Sequence, residues 1–216
     1  MEWRLDILPK KTRKALDYLG NESWLTNDGW YLAGGTALAL QAGHRQSVDL
    51  DFFISQKTFA PVAVIGHFSE EVWQPDIVKE ATIYGTIYGA KVSFIAYPFF
   101  IPVKPKLKYK SLELLDQDDL AVMKVIAISQ RGRKRDFIDL FWYVKNVAPL
   151  VSVIEKLPNQ YPNIAHNFHH LIKSLTYFAD AEADPMPTIF FDADWPTVRN
   201  YFLTEVPRLA KKILGL

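Results

Sequence analysis

Residues 31–53, YLAGGTALALQAGHRQSVDLDFF, constrain this chain more than any other stretch. The apolar pattern reads as a strand, a double-glycine turn, a short helix and a second strand. Gly34 and Gly35 end the first strand. Two residues without a Cβ let the backbone turn sharply and approach another group closely. Thr36 reads as the N-cap of the helix that follows, since its hydroxyl can accept a free backbone N–H, and Gly43 closes that helix. A glycine turn feeding a helix N-terminus offers unpaired N–H groups and the positive end of a dipole, a combination suited to phosphate. No Gly-Lys-Ser/Thr follows at the spacing of a P-loop, so that class is excluded.

The second strand, residues 48–54, carries two acids. Side chains alternate across a strand, so Asp49 and Asp51 are expected on one face, with Val48, Leu50 and Phe52 turned to a core. Carboxylates about 7 Å apart on one face repel unless a cation lies between them. Mg²⁺, or Mn²⁺ in its place, is the expected occupant, because such ions take hard oxygen ligands and leave positions open for water and substrate phosphate. An Asp-x-Asp by itself also reads as a solvated strand face. The adjoining glycine turn favours the cation.

The remaining composition sets bounds. With 216 residues, 49% of them hydrophobic, the chain can bury a core. It has no cysteine, so disulfides and thiolate-bound zinc are excluded. A net charge of +1 gives no whole-molecule field for nucleic acid. No apolar run reaches the ~18–20 residues of a membrane span. The first residues lack the apolar core of an export signal, so a cytoplasmic location and no membrane partner are expected.

Residues 9–22 read as a solvated amphipathic helix, and a short helix is expected within 59–71. Strand-like runs at 76–79, 82–88 and 91–97, punctuated by Gly85 and Gly89, predict an antiparallel meander with hairpins or bulges. Lys104, Lys106, Lys108 and Lys110 recur with period two and would share a strand face. They fit a track for an RNA backbone or an edge strand protected against aggregation. Tyr97, Phe99 and Phe100 beside them fit either base stacking or plain packing.

A helical hairpin follows. Asp118 and Asp119 stand at the start of a helix over 120–129, in which Lys124 is the sole charge. A lysine there must reach solvent or meet an anion. A second helix over 133–145 carries Asp139 in an apolar run. Gly132 separates the two, with Lys124 eight residues before it and Asp139 seven after, so the two should meet as a pair. That pair reads as a structural ion pair or as part of a site. Arg131, Arg133, Lys134 and Arg135 form a basic cluster that fits a charged turn or a docking patch for RNA or triphosphate. Further helices are expected over 151–157, 163–181 and 195–214. His166, His169 and His170 have helical ligand spacing but no acid among them, and read as surface residues. Asp192 and Asp194 read as the N-cap region of the last helix.

The stretch GGTALALQAGHRQSVDLDFF resembles the first motif of the polymerase-β-like nucleotidyltransferases, and in particular the AbiEii/AbiGii toxin family of type IV toxin–antitoxin and abortive-infection systems. Arg45, Ser47, Asp49 and Asp51 match its Arg-x-Ser-x-Asp-x-Asp segment. Lys124 and the segment 135–139, Arg-Asp-Phe-Ile-Asp, match a later lysine and Arg-Asp-x-x-Asp. The resemblance implies an α+β fold: a mixed, largely antiparallel β-sheet backed by helices over residues 1–115, then a helical region over 116–216 that completes the site. It implies metal-dependent nucleotidyl transfer from an NTP to an acceptor hydroxyl, such as the 3′ end of a tRNA, and a cognate antitoxin as partner. Gly34, Gly35, Thr36, Arg45, Ser47 and Lys124 would bind the nucleotide. Asp49 and Asp51 would hold the metal and, with Lys124 and Asp139, serve catalysis. The family places a third carboxylate where this chain reads Val92-Ser93-Phe94. Ser93 stands in the acid's position, which also admits a non-catalytic nucleotide- or RNA-binding module on the same fold.

Overall fold

The computed structural model describes residues 2–163 and 167–214. The described chain divides into two compact units, Met1–Asp116 and Gln117–Leu216. No single helix among the described residues is long and apolar enough to cross a membrane.

The first unit is built on one seven-stranded sheet. Its strands are β1 (Tyr31–Ala33), β2 (Leu50–Ile54), β3 (Trp73–Lys79), β4 (Thr82–Ile87), β5 (Ala90–Ala96), β6 (Leu107–Tyr109) and β7 (Leu112–Leu114). The spatial order is β3-β4-β5-β2-β1-β7-β6. The pairs β2–β5 and β1–β7 are parallel and the other four antiparallel. The predicted meander is β3-β4-β5. Its β4–β5 turn sets Tyr88 and Gly89 both at positive φ, +51° and +74°, the backbone of a two-residue primed hairpin turn. The β3–β4 pairing slips between Pro75 and Ile77, where Pro75 faces Gly85.

Four helices, α1 (Lys10–Leu19), α2 (Ser23–Asn27), α3 (Gly34–Ala42) and α4 (Pro61–Ile65), pack against the strands. The helix expected within 59–71 is thus only five residues long. The centre of the apolar layer is Phe94, fully buried. Its ring centroid lies 5.2 Å from Trp30, 5.4 Å from Phe52, 5.9 Å from Trp73, 6.0 Å from Phe68 and 6.2 Å from Trp24. Five rings from five separate segments therefore meet on one side chain of β5.

The lysine run at 104–110 does not form the expected face. Only residues 107–109 are strand, so Lys104 and Lys106 precede it. Lys110 sits in the following turn at φ +51°. Lys106 is held by Glu113 at 2.6 Å and Lys110 by Asp17 at 2.8 Å. Strand β6 lies at the edge of the sheet, as the protected-edge reading requires.

The second unit is helical: α5 (Gln117–Arg131), α6 (Lys134–Asn146), α7 (Leu150–Glu155), α8 (Leu157–Gln160), α9 (Phe168–Ser174), α10 (Ala179–Glu182) and α11 (Trp195–Leu214). The helix expected over 163–181 is broken into α9 and α10. Phe137, Phe178, Trp195 and Phe202 form its aromatic centre, with Phe137 5.2 Å from Phe178 and 5.4 Å from Phe202. Asp194 caps α11 as expected, accepting from Thr197 N at 2.8 Å.

Truncating Phe94 to alanine removes the contact shared by all five rings. Urea denaturation of Phe94→Ala should show a loss of about 3–5 kcal/mol, the usual cost of deleting a buried phenylalanine.

Candidate active site

The site grows from the crossing of β1 and β2. Ala33 pairs with Asp51 across the two antiparallel strands. Helix α3 begins at once, with Gly34 as its first residue and Ala33 as N-cap. Thr36 is therefore not the cap, as the sequence suggested, but lies inside the first turn. Its hydroxyl donates to the carbonyl of Asp49 and is hydrogen-bonded to Ser47 Oγ at 2.9 Å. Ala33 contributes no side-chain cap, so the first-turn amides of α3 keep the anion-binding character of a helix start.

Both glycines make room for what stands next to them. Gly34 has φ +70°, and a Cβ there would lie 2.8 Å from Asp51 Oδ2. A Cβ on Gly35 would lie 2.2 Å from Arg45 Nη2 and 3.4 Å from Ser47 Oγ. The double-glycine turn thus lies directly against a carboxylate and a guanidinium. Arg45 is buried to 3% exposure, and its Nη1 donates to the carbonyl of Gln46 at 2.9 Å. His44 and Ser47 are buried with it. The link between α3 and β2, expected as a connection, is a packed wall behind the turn.

The strand carrying the acids is shorter than predicted. It starts at Leu50, so Asp49 stands just before it and Asp51 within it. Leu50 and Phe52 are buried in the core as expected, but Val48 is 41% exposed and takes no place there. Asp49 and Asp51 are both half-buried. Strand β5 runs parallel to β2 and sets Ser93 opposite Asp51. Ser93 Oγ donates to Asp51 Oδ1 at 2.7 Å. A neutral hydroxyl there orients the carboxylate where a third acid would repel it.

These donors fit a hard cation that arrives with phosphate. Asp49 and Asp51 offer carboxylate oxygens, and no cluster of three or more His, Cys, Asp or Glu among the described residues is placed for a metal. Two carboxylates plus substrate oxygens are a usual set for Mg²⁺, whereas a resident zinc requires more protein ligands.

In the helical unit, Lys124 and Asp139 meet as the spacing predicted, with Nζ 2.7 Å from Asp139 Oδ2. A third partner went unforeseen. Asp136 Oδ1 also lies 2.7 Å from Lys124 Nζ, and Arg131 Nε reaches Asp136 Oδ2 at 3.0 Å. Both aspartates are fully buried. The signal was present in the sequence: Asp136 lies three residues before Asp139, one turn away on the same helical face. Burial alone would raise the Asp136 carboxyl, but the charges of Lys124 and Arg131 outweigh it and hold it below its ordinary value.

The basic cluster at the hairpin turn is largely engaged by local acids. Arg131 binds Asp136, Arg133 reaches Asp184 at 2.5 Å, and Lys134 is buried with its Nζ on the Asp184 carbonyl. That is the charged-turn reading. His169 and His170 are exposed, and His166 lies outside the described residues.

Residues 25–212 match the family model described as nucleotidyl transferase AbiEii toxin, type IV TA system. The chain belongs to the AbiEii nucleotidyltransferase toxin family. An uncharacterized protein of Aquifex aeolicus (strain VF5) is 34% identical over 205 residues, 92% of this chain and 96% of that one. Among solved structures, a putative nucleotidyltransferase from H. pylori aligns with TM-score 0.54 at 14% identity, covering 94% of this chain and 95% of the other. The nucleotidyltransferase toxin MenT4 of Mycobacterium tuberculosis H37Rv aligns with TM-score 0.50 at 14% identity, covering 94% and 89%. At that identity the two structures speak for the AbiEii-type fold alone, which is the α+β architecture expected from the sequence.

The buried triad yields a pH prediction. A carboxyl held below its ordinary value stabilises the fold above the ordinary carboxylate range, and the contribution is lost as pH falls through the lower, folded value. Asp136→Asn should be less stable than the wild type in urea near pH 7. The gap should narrow as pH falls below the ordinary carboxylate value of about 4. Lys124→Met should cost about 3–5 kcal/mol, because two buried carboxylates lose their shared cation.

Proposed function

We propose that this AbiEii-family chain transfers NMP from an NTP to an acceptor hydroxyl on RNA. The observation that carries this reading is the approach of the Gly34–Gly35 turn to Asp51, with Asp49 beside it. A helix start with open first-turn amides beside an acidic oxygen donor supports phosphate and cation binding together.

Asp49 and Asp51 would hold Mg²⁺ or Mn²⁺, which when bound neutralises phosphate charge and polarises the phosphoryl oxygens. The first-turn amides of α3 would bind phosphate oxygens. Arg45 and Ser47 would support the turn from behind. Ser93 would keep Asp51 oriented through its hydroxyl. The acceptor oxygen would attack the α-phosphorus in line, forming the new P–O bond as the bond to pyrophosphate breaks and the hydroxyl proton leaves. From the family resemblance, Lys124 is assigned to charge on the triphosphate, and Asp139 to orienting that lysine. The family's type IV toxin–antitoxin setting supports a cognate antitoxin as protein partner.

Ser93 favours a second reading. Without a third carboxylate the fold can bind nucleotide or RNA and transfer nothing. Incubation with each labelled NTP, Mg²⁺ and total RNA separates the two. Transfer that falls by at least about a hundredfold in Asp49→Ala, with unchanged thermal unfolding, supports the enzyme. Nucleotide binding without transfer, under all four NTPs and with several acceptors, would establish the binding module instead.

A further inference from the structure

The sheet face that carries Asp51 does not end at the acids. Phe53 follows Asp51 by two residues on β2, so both point to one face, about 7 Å apart. On the parallel neighbour β5, Ser93 and Ile95 share that face, and the β2–β5 ladder runs on through Tyr97 N to the carbonyl of Ile54 at 2.8 Å. Tyr97 packs edge-on to Phe53 with ring centroids 5.6 Å apart. Phe99 packs edge-on to Tyr97 at 5.7 Å. An aromatic row thus starts beside the acidic pair and leads outward to a ring that is 48% exposed.

The segment is built to hold that ring outward. Phe100 is buried to 1% and anchors the chain, while Phe99 and Ile101 on either side are exposed. Pro98, Pro102 and Pro105 fix the backbone around them. The structure therefore separates the aromatics that the sequence grouped: Phe100 is packing, Phe99 is exposed, and Tyr97 is half-buried between Phe53 and Phe99. Residues 97–112 contain four lysines and no acid, but Lys106 and Lys110 are engaged by Glu113 and Asp17, so the rings and not the lysines mark this face.

We propose that Phe53, Tyr97 and Phe99 form a stacking platform for the unpaired bases at the 3′ end of an RNA acceptor. Aromatic rings stack on every base without reading sequence. The row begins next to the carboxylates and ends in solvent, which suits a strand end entering the site. This inference rests on the nucleotidyl-transfer reading for its location and on the aromatic row for its ligand.

The test measures binding separately from transfer. A fluorescently labelled single-stranded RNA oligonucleotide is titrated at fixed salt with wild type, Phe99→Ala and Phe99→Trp. Phe99→Ala should bind about tenfold more weakly, the usual scale of one base–aromatic stack, and Phe99→Trp should bind like wild type. In transfer assays Phe99→Ala should raise KM for RNA, leaving kcat and KM for the NTP unchanged. Equal RNA binding by Phe99→Ala and wild type overturns the platform. So does equal weakening by both variants, which marks lost packing rather than stacking. A raised KM for the NTP with RNA binding intact assigns the ring to the nucleotide and overturns it too. If RNA binding depends on Phe99 while no NTP is ever transferred, the platform stands and the enzymatic reading falls. If transfer depends on Asp49 but no RNA is bound, the reverse holds.

Discussion

A side chain at Gly34 or Gly35 would have to displace Asp51 or Arg45 from where they stand. That exclusion ties together three segments distant in local structure: the β1–α3 turn, the strand carrying the acids, and the link behind them. Gly34 adds a positive φ, which only glycine adopts without strain. A larger residue at either position would push the turn away from the carboxylate. The helix start and the acidic donors would then no longer share one place.

The sheet supplies the rigidity behind that contact. Phe94 gathers five aromatic rings beneath β5. The same strand presents Ser93 to Asp51 from its other face. Because side chains alternate along a strand, the core anchor and the group that orients the carboxylate are adjacent residues. Packing on one face therefore sets geometry on the other. The helical unit has a comparable device in the Lys124–Asp136–Asp139 cluster, where one buried cation joins two acids from the facing helix.

Several misreadings share a cause. Thr36 has the chemistry of an N-cap, yet the helix starts two residues earlier and its hydroxyl is engaged by the Asp49 carbonyl and Ser47 instead. Val48 fits the alternation of a buried strand, yet pairing with β1 begins only near Asp51, so Val48 lies outside the sheet. The lysine run has strand periodicity, but only three of its residues are extended and two of its lysines are drawn to acids elsewhere in the chain. In each case local pattern stated a preference and long-range pairing decided where it applied.

What the sequence by itself determined is which residues a site can draw on. Two glycines before a helix, two acids with period two, and a lone lysine and aspartate at matched distances from a glycine turn are local patterns, and local patterns survive without coordinates. The family motif and the α+β class follow from the same residues. Only the tertiary structure decided which groups touch. Ser93 and Asp51 are 42 residues apart and meet through a parallel strand pairing that no periodicity announces. Arg45 is aimed at Gly35, Asp136 joins the lysine pair, and Phe99 rather than Phe100 faces outward. Each depends on packing between segments remote in sequence, where the energy of burial, not local preference, selects the arrangement.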